Sequence, residues 1–155
     1  MDKYFRDYMD RLEELHREIA GSIRGLPLAA LDWVPGRKMN SMAVLVVHVV
    51  GAERYWIGDV AGGNRSGRVR SEEFQVRGLS DQSLTEQLKQ AEAYSRGILE
   101  RLAIEDLASP RISPRDEETF TVGWALLHAL EHTAIHLGHI QIARQMWEQV
   151  NEDGD

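Results

Sequence analysis

An all-α four-helix bundle is the fold class this sequence predicts, and three observations carry it. Four stretches place apolar residues at steps of three or four, the period of a helix with one buried face. No comparable stretch alternates apolar and polar residues as a half-buried strand does. Capping and breaking residues fall at the edges of those four stretches rather than inside them.

The first helix is expected from about Asp2 to Ile23, with Phe5, Met9, Leu12, Leu15, Ile19 and Ile23 on its buried stripe, and Gly25 and Pro27 stop it. The second opens after PGRKMN (35–40), with Asn40 or Ser41 as N-cap, and runs to about Val60 before Gly62-Gly63. Its beginning is apolar all round, which marks it as the most buried helix, and it is too long and unbroken for a strand. A linker, GGNRSGRVRSEEFQVRGL (62–79), carries Arg65, Arg68, Arg70 and Arg77. Linkers of that length inside a compact domain are usually functional or mobile. The arginines can reach a carboxylate or phosphate over a site, or lie on a solvated loop balanced by Glu72 and Glu73. The third helix starts at Ser80 or Asp81, reaches about Ala103, and buries Leu84, Leu88, Ala91, Ser95, Ile98 and Leu102. Two prolines make 107–121 irregular, and Arg111–Ser113 can pair with Thr119–Thr121 as a short hairpin. The fourth helix runs from Thr121 or earlier to about Val150. Residues 1–150 read as a single domain and 151–155 as a frayed tail. The two later connections are long enough to cross over an end of the bundle, so a simple up-down-up-down order is not required.

Composition excludes several functions. Of 155 residues, 43% are hydrophobic and 28% charged, and the formal net charge is −7, so nucleic acid and anionic membranes are not expected partners. With no cysteine, thiolate-held zinc and iron–sulfur clusters are excluded, and any metal must sit on His, Asp, Glu or water. The N-terminus has no apolar signal segment, and MAVLVVHVVGA (42–52), the longest apolar run, is too short to cross a bilayer. A cytoplasmic protein is expected. No P-loop ending, nucleotide-binding glycine fingerprint or nucleophile elbow is present.

The chemistry lies in HALEHTAIHLGH (128–139), which holds four of the six histidines. With His128 at zero on a helical wheel, His139 falls at roughly 20°, His132 at roughly 40° and His136 at roughly 80°. All four share one stripe, but His128 and His136 stand roughly 12 Å apart along the axis, too far for one ion. The usable pairs are 128/132, 132/136 and 136/139. His48, set among the valines of the second helix, is the candidate third ligand, because a buried imidazole needs a partner. His16, among Glu13, Glu14, Arg17 and Glu18, reads as solvated and without a role. Glu53 and Arg54 are expected to face solvent or pair with another helix. Tyr55, two turns beyond His48 on the same face, lines a pocket or packs. HALEH also matches H-x-x-E-H, in which Glu131 would be the general base of a zinc peptidase. The short stretch after His132 leaves little chain for a distant ligand and cleft.

The stretches NSMAVLVVHVVGAERYWIGDV (40–60) and WALLHALEHTAIHLGHIQIARQ (124–145) resemble the DinB/YfiT-like superfamily, in helix order over nearly the whole chain. That resemblance implies a four-helix bundle of unusual connection order, commonly a homodimer. It also implies a divalent metal, nickel or zinc, on three histidines with coordination positions left open. Carried over by position, the ligands are His48, His132 and His136, the last preceding Leu137-Gly138 where the family often has Arg-Gly. His139 stands where glutamine is common, so His139 and His128 are expected as supporting or alternative ligands. Some relatives are thiol-dependent transferases or isomerases, which implies S-transferase-like chemistry with a low-molecular-weight thiol and a small-molecule substrate. Tyr55 and Glu131 are the candidate catalytic residues. The alternatives are a non-enzymatic metal-binding or stress-response module, and a metal-dependent hydrolase using Glu131.

Overall fold

The computed structural model describes residues 1–152 of the chain. Helix α1 spans Lys3–Ile23 and the single turn α2 Leu28–Leu31. Helix α3, Met42–Glu53, continues as a π-helix over Arg54–Ala61. A single turn α4 (Arg70–Glu73) precedes α5 (Asp81–Leu99). A 3₁₀ turn at Ile104–Ala108, strands β1 (Pro110–Ile112) and β2 (Thr119–Thr121), and α6 (Val122–Glu152) complete it. No described helix is long and apolar enough to cross a membrane.

The helices begin where their caps lie. Ser41 Oγ accepts from Val44 N, Ser80 Oγ from Ser83 N, and Thr121 Oγ1 from Trp124 N at 3.3, 3.1 and 3.1 Å. The second helix ends as expected before Gly62-Gly63, and the φ of +65° at Gly63 suits glycine. Three boundaries differ from expectation. Helix α5 stops at Leu99, because the chain tightens into i→i+3 bonds from Arg101 to Ile98 and Leu102 to Leu99. The second helix is not uniform, since it widens to π geometry after Glu53. Asn151 and Glu152 stay helical, Asn151 Nδ2 donating back to Trp147 O at 2.8 Å, while 153–155 of the expected tail lie outside the described residues. The hairpin forms one residue earlier than expected on its first strand, pairing Pro110 with Thr121 and Ile112 with Thr119. Ser113 closes the hairpin, its N–H donating to Glu118 O at 2.8 Å, and is buried with its hydroxyl 2.5 Å from Tyr55 Oη.

The connection order is the feature that builds the site. Tyr8 Oη donates to Leu126 O and Arg144 Nη1 to Ser22 O, so α1 and α6 run parallel. His48 meets His132 while Trp56 meets Trp124, so α3 and α6 run antiparallel. Ser95 meets Glu53 while Ile98 lies against Gly62, so α3 and α5 run parallel. Helices α1 and α3 each pack on both α5 and α6, which places α1 diagonal to α3. The order is up, down, down, up. Two parallel neighbours force the 62–80 linker to run back along α3, and that return lays Arg68, Glu73 and Phe74 across His48.

The core is two apolar clusters. One joins Phe5, Met9 and Leu12 to Ile57, Leu99 and Leu126, and the other joins Leu15, Ile19 and Ile23 to Val46, Leu88 and Ile140. Between their positions on α1, α3 and α5 lies a buried polar group of His16, Glu53 and Ser95. The expectation of a solvated His16 is therefore wrong: the residue is 1% exposed. Its charged sequence neighbours flank it on the helix, but its own direction, one residue from Leu15, is inward. Glu53 is likewise buried, paired across the bundle rather than facing water.

Candidate metal centre

Three histidines from two helices converge. His48 on α3 is buried, while His132 and His136, one turn apart on α6, are half-buried. Each offers a ring nitrogen, and these atoms all lie within 4.8 Å of one another. His48 Nε2 is 3.1 Å from His132 Nε2. Ring centroids stand 4.4 Å apart for His132/His136 and 5.0 Å for His48/His136.

The remaining nitrogen of His48 shows how it is oriented. His48 Nδ1 lies 2.8 Å from Glu73 Oε2, and since a carboxylate only accepts, Nδ1 carries the proton and Nε2 presents its lone pair inward. Glu73 is held in turn by Arg68, which donates from Nε to Oε1 and from Nη2 to Oε2 at 2.9 Å. Burial alone would raise the Glu73 pKa, but the hydrogen bonds and charge of Arg68 and His48 hold it below the usual carboxylate range. An orienting carboxylate behind a histidine ligand fixes its tautomer and raises its basicity.

Gly51, one turn beyond His48, makes room for this clamp. A Cβ there would stand 2.8 Å from Glu73 Cδ and 3.2 Å from Arg68 Nε. Glu73→Gln and Gly51→Ala are both expected to weaken divalent-metal affinity by about 10- to 100-fold without removing any of the three histidines. Competition against a chromophoric chelator measures this, and unchanged affinity in both variants would leave the clamp without a role.

The other two ligand candidates stay neutral. Burial first, then the charges of His136 and His48, lower the His132 pKa to about 3. Burial, then His48 and His139, lower His136 to about 4. Their lone pairs are therefore free at neutral pH. The Nε2 atoms of His48 and His132 confront each other at 3.1 Å, and His132 Nδ1 is buried without a hydrogen-bond partner among the described residues. A separation of about 3 Å suits two nitrogens on one ion with bonds of about 2 Å. Three imidazoles without thiolate suit zinc, nickel or a similar divalent ion. The residues present fit such a metal.

The neighbouring candidates divide differently. His139 Nδ1 is 3.3 Å from His136 Nδ1, beside the cluster but outside it. His128 stacks on Trp124 at 4.9 Å and 10°, with its ring 6.1 Å from that of His132. Glu131 is exposed and comes no nearer to His128 Nδ1 than 3.9 Å. The H-x-x-E-H geometry is not assembled, because its two histidines do not converge. Tyr55 is buried, with its ring under Arg68 and Arg115 at 5.8 and 5.4 Å. From sequence, Glu73 reads only as a counter-charge to the linker arginines. A buried histidine in search of a carboxylate is the signal that could have found it.

The model of the Mycothiol-S-transferase family matches residues 8–149. The chain belongs to this DinB/YfiT-like family. Two solved structures share the fold. A conserved protein from Enterococcus faecalis superposes with a TM-score of 0.74 at 15% identity, over 94% of this chain and 98% of that one. YfiT from Bacillus subtilis, described as a probable metal-dependent hydrolase with an unusual four-helix bundle topology, gives 0.74 at 13% identity, over 96% and 90%. No curated protein matches the sequence.

Proposed function

We propose that the protein is a divalent-metal-dependent transferase that joins a low-molecular-weight thiol to a small electrophile, with His48, His132 and His136 holding nickel or zinc. The observation that carries this reading is the convergence of three imidazoles, one of them locked by Glu73 and Arg68. Membership of the Mycothiol-S-transferase family supports the thiol part. A divalent ion on these nitrogens supplies positive charge that favours a thiolate over a thiol at neutral pH.

The reaction itself is a simple displacement. The thiolate sulfur forms a carbon–sulfur bond while the leaving group departs with the electron pair of the broken bond, and the thiol proton passes to solvent. With an activated double bond, that proton ends on the adjacent carbon instead. The chain's own residues hold His48 in one tautomer through Glu73 and cover its outer face with Phe74, at 5.1 Å between rings. The hydrolase reading is less well supported, because Glu131 lies on the exposed side of α6, away from the cluster.

Incubating metal-loaded protein with a panel of thiols and alkylating or Michael-acceptor electrophiles, and following the loss of free thiol, tests the proposal. Conjugation is expected to require the metal and to fall to background in His136→Ala. Silence across the panel with the metal bound would favour a binding module. The expected homodimer belongs to the same reading, with the exposed Leu127, Ile135 and Ile142 of α6 as its candidate face, and sedimentation velocity measures it.

A further inference from the structure

A cavity of about 330 Å³ beside the histidine cluster is lined by four arginines, Arg65, Arg68, Arg70 and Arg115, around Tyr55. Arg68 links it to the back of a ligand histidine, since it lines the cavity and lies with Nη2 3.4 Å from His48 Nδ1. The charges are not equally committed. Arg68 is spent on Glu73, and Arg115 is paired with Asp116 at 2.7 Å. Arg65 and Arg70 make no ion pair with any described carboxylate. Arg70 instead lies over the Phe74 ring at 4.9 Å, beside His48. Asp59, the acid in the lining, is occupied by Ser66, accepting from its backbone N–H at 2.5 Å and its hydroxyl at 3.0 Å. The result is a pocket of net positive charge in a chain of net charge −7. Its low apolar wall is Tyr55, stiffened by the bond to Ser113.

We infer that this cavity is a recognition site for a carboxylate on one of the two small molecules that meet at the centre. Guanidinium groups bind carboxylates by two parallel hydrogen bonds, which gives orientation as well as affinity. Arg65 and Arg70, the two lining arginines without an ion pair to a described carboxylate, are the selecting residues. The inference deepens the transferase reading and rests on it for the identity of the ligand as a reactant, but the site itself is a matter of binding.

The test begins with binding. Succinate is titrated into the metal-loaded and the metal-stripped full-length protein by calorimetry, with diethyl succinate as the neutral control. Succinate is expected to bind both forms and the diester neither. Arg65→Gln with Arg70→Gln is expected to weaken succinate about tenfold, as lost charge-assisted hydrogen bonds do. The corresponding double lysine variant keeps the charge and recovers part of the affinity. Equal binding of succinate and diester, equal binding by wild type and the double glutamine variant, or succinate binding only when the metal is present would each overturn the inference.

Turnover then locates the carboxylate. With 2-mercaptoethanol as thiol, iodoacetate is compared with iodoacetamide. With iodoacetamide as electrophile, 3-mercaptopropionate is compared with 2-mercaptoethanol. A charge preference in the first pair that the double glutamine variant loses places the carboxylate on the electrophile, and one in the second pair places it on the thiol. Turnover with no charge preference in either pair overturns the assignment to a reactant. Arginine-dependent succinate binding without any turnover supports the site and counts against the transferase reading instead.

Discussion

Alanine at position 132 is expected to empty the centre, taking metal content from about one divalent ion per chain to background. His132 touches both other candidates, with Nε2 3.1 Å from His48 Nε2 and its ring 4.4 Å from that of His136. Its loss leaves two nitrogens, and a two-imidazole site open to water does not retain a divalent ion through dialysis. His48→Ala is expected to behave alike and also to leave the Glu73 carboxylate with Arg68 alone. His128→Ala is expected to keep the metal, since its ring stacks on Trp124 rather than joining the cluster. Elemental analysis of untagged protein decides among these. Full metal content in His48→Ala, or loss in His128→Ala, would assign the ligands wrongly.

Much of this site is legible in the chain, and the part that is not has a physical reason. Helical spacing alone reduces four histidines to three possible pairs, because axial rise limits what one ion can span. Family resemblance, not geometry, selects His132 and His136, whereas His48 is a candidate already because a buried imidazole among valines needs a partner. The buried His48 signals that some carboxylate must serve it, but which one depends on topology: only a linker that returns along α3 can lay residue 73 against residue 48. Periodicity reports which residues are buried on one helix, but not which helices are parallel. His16 is misplaced for a different reason. Its charged neighbours suggest water, yet the stripe of Leu12, Leu15 and Ile19 turns that position inward. The helix starts, by contrast, are local properties, and the observed Ser41 cap is one of the two positions the sequence offers.

The buried group around His16 carries the second large expected effect, this time on stability. His16 Nδ1 lies 3.1 Å from Glu92 Oε1. Its Nε2 lies 2.7 Å from Glu53 Oε2, an ion-pair distance although not aligned as a hydrogen bond. Carboxylates on both sides require a proton on both ring nitrogens, so the residue is an imidazolium. Ser95 Oγ donates to Glu53 Oε1 at 2.6 Å and fixes that carboxylate. Removing one partner of such a buried pair leaves the other charge unpaired, so Glu53→Ala is expected to cost roughly 3–5 kcal/mol in urea denaturation.

The pH dependence has a definite sign. Burial alone would lower the His16 pKa, but the charge and close approach of Glu53, then the hydrogen bond to Glu92, raise it from 6.5 to about 9. The folded state therefore holds the proton more tightly than the unfolded chain. Its contribution is fully present below pH 6.5 and is lost as pH rises through about 9. Wild-type melting temperature is expected to fall across that window, and His16→Gln, uncharged throughout, is expected to show a flatter profile and lower stability at its acidic end. Parallel slopes for the two proteins would mean that the imidazolium is not what joins α1 to its neighbour α5 and, across the diagonal of the bundle, to α3.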